Sequence, residues 1–362
     1  MRTLFYYTSE SWTGSARAFA VAARGLMARG EPVTVACAVD STPEQAFARE
    51  GLDVVALPPG GSVSGDAWRL RRVLREKFVE VVFLHTEREQ LVASSAMRLA
   101  ERGAVIRRVP AGAMASAGRS SQFAGKMASA RLLFATDADR ARSPGGNRGF
   151  VAPLGVDAAK VDGIRAAART SLGVDFETQL MVCVTAGNAR VRAGSALRTL
   201  ALLAERHSEL RLALVGPGSD AEDVHMHAAA LGVSSLVHFL GERDDLPNVL
   251  AAADVGWVAA DGDDGGFACL DFMAARVPII SERAPLIAHY VPDGIAGVLL
   301  PPADPSDTAA AVASFLAHDE QRDAMGRAGR TRAQRDFSEQ SMIEGFAAAA
   351  SAAGDRASWA AR

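Results

Sequence analysis

Short apolar runs separated by helical patterns recur along almost the whole chain, and this alternation leaves few folds open to it. In the first half TLFYY, PVTVACAV, DVVAL, VEVVFLH, AVIRRV and RLLFATD read as strands. Each is short, rich in Val, Ile, Leu or Phe and close to continuously apolar, the pattern of strands buried on both faces of a parallel sheet. After TLFYY the spacing predicts a turn around Gly14 and a helix from about Ala16 to Arg29, with Phe19, Ala22, Leu26 and Met27 on one face. Strands alternating with helices are built from βαβ units, so the predicted class is α/β. The alternation restarts after VAPLGVD at 151–157. A helix in 159–171, the strand QLMVCVTA, a helix from Ser195 to Glu205 and the strand RLALVG follow. AEDVHMHAAALG reads as a helix, VHFLG as a strand, LPNVLAAAD as a helix and VGWVAA as a strand, and an Ala- and Arg-rich helical stretch occupies about 306–352.

The 362 residues suggest roughly two domains at about 150 residues each. With 49% hydrophobic and 22% charged residues the composition is that of a soluble globular protein. Cys37, Cys183 and Cys269 are far apart in apolar runs and read as buried, reduced thiols of a cytoplasmic protein, with no spacing suited to zinc. The opening MRTLFYYTSESW is too short an apolar patch for a signal peptide, and no run of about 18 apolar residues is long enough to span a membrane. The net charge of −3 hides a split of +7 over residues 1–153 and −10 over the remainder, which suggests two units facing different partners.

From Leu236 to Asp304 the chain reads LVHFLGERDDLPNVLAAADVGWVAADGDDGGFACLDFMAARVPIISERAPLIAHYVPDGIAGVLLPPAD. In order and spacing this stretch resembles the nucleotide-sugar-binding half of the GT-B glycosyltransferases, close to the family-4 (group 1) retaining enzymes. The resemblance implies two Rossmann-like parallel-sheet domains facing across a cleft. It implies an acceptor-side domain at 1–153, a donor domain at 154–335, and a helix crossing back with a tail at 336–362. It also implies transfer of a sugar from a nucleoside diphosphate sugar to an acceptor hydroxyl, with retention and without a metal cofactor. Strong protein base is not required, because in relatives the departing phosphate helps take the acceptor's proton.

Aligning LDFMA on the family's LEAMA places two carboxylates eight positions apart, Asp263 at a strand end and Asp271 in the helix beyond it. By resemblance Asp271 holds the ribose hydroxyls and Asp263, or its neighbour Asp264, reaches the donor sugar; a carboxylate suits a vicinal diol because it offers two acceptor oxygens. Gly265, Gly266, Phe267 and Ala268 read as a turn feeding a helix N-terminus, where backbone N–H groups and the dipole favour a diphosphate. The plain alternative is a polar turn capped by Asp263 or Asp264. Asp261 and Asp263 also spell DxD, a metal-binding pattern of an unrelated glycosyltransferase class.

In VTAGNARVRAG the family's diphosphate-clamping Arg and Lys are replaced by Asn188 and Ala193. Arg190 and Arg192 lie close by and offer guanidinium forks, or else are solvated loop residues. Gly216, in VGPGSD, coincides with a family glycine beside the nucleotide, and Gly241 to Arg243 with contacts to the base. Asp244 or Asp245 reads as the cap of the next helix. Gly14 stands where the family's first glycine-rich turn meets donor and acceptor. The family's first-domain histidine has no counterpart at IRRVPAG; His85, ending FLH, is the histidine of that half and serves either the site or the strand end. His225 and His227, at i and i+2, do not share a helix face.

The helix DAWRLRRVLREKF places Trp68, Val73, Leu74 and Phe78 toward a core and Arg69, Arg72 and Arg75 outside; Arg107, Arg108, Arg119 and Lys126 add charge. This is a solvated basic face, or attraction to an acidic acceptor or an anionic membrane surface. No aromatic interleaving or motif points to nucleic acid. Two other activities remain open on this fold: a nucleotide-sugar epimerase, and a degenerate GT-B protein that binds a sugar nucleotide or partner without turnover.

Overall fold

The computed structural model describes residues 1–58, 60–101, 103–115, 129–161, 163–185, 189–243, 245–301 and 304–360, with the side chains of 129, 189–192 and 355–360 excepted. The chain divides into two units, residues 1–154 together with 339–362, and residues 155–338.

The first unit runs β1 (Thr3–Tyr7), α1 (Gly14–Ala28), β2 (Val33–Ala38), α2 (Thr42–Arg49), β3 (Asp53–Leu57), α3 (Val63–Glu76), β4 (Val81–Leu84), α4 (Glu87–Ala100), β5 (Ala104–Arg108), β6 (Ser129–Phe134), α5 (Asp137–Arg142) and β7 (Phe150–Val151). Its seven strands lie parallel in the order β3-β2-β1-β4-β5-β6-β7. DVVAL matches β3 to the residue, but β3 is the sheet's edge and only half buried, not covered on both faces. On one face Leu70, Val73 and Leu74 of α3 pack with Val92, Ala93 and Met97 of α4. The other face holds Phe5, Phe19 and Phe83, joined by Phe346, whose ring centroid lies 5.1 Å from that of Phe83. On α1, Phe19, Ala22 and Leu26 are buried, while Met27, one residue from the helix end, is exposed.

The second unit runs α6 (Arg165–Ser171), β8 (Gln179–Thr185), α7 (Ala189–Leu203), β9 (Leu210–Val215), α8 (Glu222–Ala230), β10 (Val237–Gly241), α9 (Leu246–Ala251), β11 (Val255–Ala259), α10 (Gly262–Ala274), β12 (Ile279–Glu282), α11 (Pro285–Tyr290), β13 (Gly297–Leu300), α12 (Pro305–Ala317) and α13 (Asp319–Asp336). Six parallel strands follow the order β10-β9-β8-β11-β12-β13. Its core packs Leu197 and Leu200 of α7 and Phe315 of α12 against Met181, Leu212 and Trp257 of the sheet. The predicted helical tail is three helices, α12, α13 and α14 (Glu339–Ala360). The three cysteines are buried and reduced, and burial pushes the Cys37 thiol up to about 12. Among the described residues no helix is long and apolar enough to cross a membrane.

Two expectations about α3 fail. Trp68 is 60% exposed and Phe78 is 56% exposed. At 100° per residue Trp68 lies roughly opposite the Leu70–Leu74 stripe, so its register places it outside whatever its hydrophobicity. Phe78 follows the helix end with φ +55, so the helical period no longer governs it.

Candidate active site

In an open parallel sheet the ligand crevice lies beyond the strand C-termini where the strand order reverses. In the second unit that point falls between β8 and β11, beside the start of α10. The helix begins earlier than expected. Asp261 is its N-cap residue, without a side-chain capping bond, and neither Asp263 nor Asp264 caps it. Asp263 therefore sits in the first turn rather than at the strand end, and Gly266, Phe267 and Ala268 lie within the helix rather than ahead of it. There an α-helix commits backbone N–H groups to carbonyls four residues back, which leaves the amides of the first turn to face an anion. Asp263 and Asp271 are each 2% exposed, whereas Asp264 is only half buried. Gly265 is needed for packing, since a Cβ on it would stand 2.2 Å from the Ala260 carbonyl oxygen. Among the described residues no group of three or more His, Cys, Asp or Glu is placed to hold a metal ion.

Gly216 and Gly241, at the C-terminal ends of β9 and β10, meet directly: the Gly216 amide donates to the Gly241 carbonyl at 2.8 Å. Gly216 has φ +122, and a Cβ there would lie 1.9 Å from the Thr185 carbonyl oxygen. Gly216→Ala is expected to lower stability by about 3 kcal/mol or more, combining backbone strain with the clash; an unchanged urea midpoint would show that this strand end relaxes freely. Asp245 is the N-cap residue of α9 and accepts from Arg243 Nε at 2.7 Å and Nη2 at 2.8 Å, which holds its carboxyl below the usual range. Asp244 and Asn188 lie outside the described residues.

The helix α7 starts at Ala189, six residues before the expected Ser195, so Arg190 and Arg192 belong to its first turns and not to a loop; their side chains lie outside the described residues. Ala193 is fully buried in the core, so that position turns inward. His225 is exposed and stacks on Phe239 at 3.8 Å, while His227 approaches Gly194.

In the first unit the strand order reverses between β1 and β4, which brings the loop before Gly14 and the end of β4 at His85 together. Gly14 is buried at the start of α1. His85 stacks on Tyr7 with centroids 4.7 Å apart, and the Tyr7 hydroxyl bonds Thr13 Oγ1 at 2.9 Å, just before Gly14. Beneath them lies Glu89, fully buried, accepting from the Thr8 amide at 2.7 Å, Thr8 Oγ1 at 2.9 Å and the amides of His85 and Thr86 at 3.0 and 2.9 Å. His85 Nδ1 is 2.9 Å from Glu89 Oε2, off the line of a regular hydrogen bond. Burial alone would raise the Glu89 carboxyl, but His85 and the amides of His85 and Thr86 overcome it and hold the pKa at about 2.

Composition counted Arg107 only as charge. The structure places it at the C-terminal end of β5, 5% exposed, with Nη1 3.3 Å from Glu87 and with Nε and Nη2 buried without hydrogen-bond partners among the described residues. Burial pushes its pKa down. The signal was present in AVIRRV, because paired arginines inside an otherwise apolar central strand must be buried. Arg119 and Lys126 lie outside the described residues.

Residues 165–332 match the family model of the glycosyl transferases, group 1. The match spans most of the second unit. The chain is 30% identical over 185 residues to a D-inositol 3-phosphate glycosyltransferase of Corynebacterium jeikeium, covering 49% of this chain and 44% of that one. It thus spans less than half the length of this relative. Two solved structures share its architecture. A glycosyltransferase from Rickettsia africae has a TM-score of 0.79 at 12% identity, covering 96% of this chain and 97% of that one. The Anabaena HepE protein, solved in complex with UDP-glucose, has a TM-score of 0.79 at 17% identity, covering 97% and 100%. With its two parallel α/β sheets and these structural neighbours, the chain has the GT-B fold.

Proposed function

We propose that this chain transfers a sugar from a nucleoside diphosphate sugar to an acceptor hydroxyl, with retention. The observation that carries the reading is the pair of buried carboxylates Asp263 and Asp271 on one helix whose first turn stands at the switch point of the second sheet. In this reading Asp271 accepts from the ribose hydroxyls and Asp263 from the donor sugar. The diphosphate lies against the first turn of α10, ahead of Gly265 to Ala268, with Arg190 or Arg192 neutralising it and Gly216 and Gly241 beside the nucleoside. Charge developing on the departing diphosphate is stabilised by preorganised amides and guanidinium groups, the largest electrostatic contribution open to such a site. The Corynebacterium relative is named for a phosphorylated polyol acceptor and the Anabaena structure holds UDP-glucose; both support this class of reaction. Gly14 and His85 serve the acceptor side, and the buried Arg107 suits an acceptor that carries an anionic group. No metal is assigned a role.

Thermal unfolding with UDP, GDP or ADP, with and without magnesium, tests the donor site. A nucleotide at about 100 times its dissociation constant is expected to add roughly 2.7 kcal/mol of stability. One responding nucleotide directs a screen of its sugars for diphosphate release on adding phosphorylated polyols. A magnesium-dependent response would restore Asp261 and Asp263 as metal ligands. No response to any of the three would favour a protein that has lost turnover.

A further inference from the structure

We infer that the outer face of α3 and the end of α4 form a docking surface for an anionic lipid bilayer. Trp68, Arg71 and Arg75 recur at i, i+3 and i+7 and so share one face of α3, the face opposite the buried Leu70 and Leu74. Trp68 is 60% exposed, and the Arg71 guanidinium carbon lies 5.0 Å from its ring centre. Arg71 Nε also donates to the Leu99 carbonyl at 3.0 Å, which brings the end of α4 alongside, with Leu99 46% exposed and Arg98 exposed beside it. Phe78 extends the apolar rim at the helix end, with Arg2 over its ring.

Charge selects the partner. Nearby carboxylates are largely engaged: Glu76 by Arg72, Asp53 by Lys77, and Glu80 by the Arg2 amide. Arg71, Arg75 and Arg98 make no ion pair among the described residues, and the exposed Glu101 offsets one of them. Isolated apolar side chains on a surface need no explanation, but an indole and a leucine set among unpaired guanidinium groups match the headgroup zone of a bilayer. There the ring rests at the interface while each arginine meets lipid phosphate. A nucleic acid fits less well, because the exposed Trp68, Phe78 and Leu99 side chains accompany the charge without any recognised nucleic-acid-binding motif.

The test is co-sedimentation of the full chain with vesicles of pure phosphatidylcholine and of equimolar phosphatidylcholine and phosphatidylglycerol. Binding is expected to the anionic vesicles alone, to weaken with salt, and to fall about fivefold for each of Arg71 and Arg75 changed to Gln. Trp68→Ser is expected to reduce binding without changing its salt dependence, and Trp68→Phe to restore most of it. Trp68 and Arg75 are exposed and Arg71 is half-buried, and an unchanged melting temperature verifies the fold of each variant. Equal binding to both vesicle types, no binding to either, or binding that the arginine changes leave untouched would each overturn the inference.

Discussion

Replacing Glu89 with alanine is expected to destabilise the first unit by about 3–5 kcal/mol, the cost of removing one partner from a buried charged cluster. The loss follows from what the carboxylate holds: two groups of Thr8 and the amides of His85 and Thr86, all half-buried, would be left without this acceptor. Glu89→Gln keeps one oxygen and should cost less. The same group sets an acid limit. Its folded pKa is about 2 against an ordinary 4.5, so its folded-state proton affinity is depressed. The stability it contributes, about 3 kcal/mol, is therefore complete above pH 4.5 and lost as pH falls toward 2. Urea midpoints across that window check the sign; in Glu89→Ala this acid-induced loss should disappear. Equal acid sensitivity in both proteins would place the titrating group elsewhere.

Asp271→Ala is expected to weaken nucleotide binding by at least about 100-fold, since two hydrogen bonds to a charged acceptor contribute about 1.5–3 kcal/mol each. Calorimetric titration with the responding nucleotide measures it. The melting temperature without nucleotide separates loss of a ligand contact from loss of the helix, and Asp271→Asn should retain shape while losing part of the affinity. An unchanged dissociation constant in a folded variant would move the ribose away from α10.

The central strands were legible because burial on both faces writes a continuous apolar run, as in β1 and β11; VHFLG and DVVAL coincide with β10 and β3 residue for residue although both are half-buried edge strands. Helix starts were less so. DGDDGGFACLD opens with three aspartates near the helix start, Asp261, Asp263 and Asp264, and only the backbone shows that Asp261 stands at the cap and that Asp263 is already helical. The resemblance singles out Asp263 and Asp271, but their burial is visible only in the fold. For Glu89 the sequence offers only the local half of its surroundings, the Thr86–Glu89 capping box; the bonds from Thr8, 81 residues away, and the complete burial come from the fold. For Trp68, residue type argues for the core and angular register for the surface, and the register decides.

Phe346, fully buried among Phe5, Phe19 and Phe83, makes the first unit a discontinuous one: its ring reaches the cluster from the far end of the chain. During synthesis, residues 155–338 emerge as an unbroken segment before that ring is available. The later-made unit can therefore close first, while the earlier-made sheet waits with an aromatic face uncovered until α14 leaves the ribosome. The interval between those two events is when this chain is most exposed to aggregation or to chaperone capture.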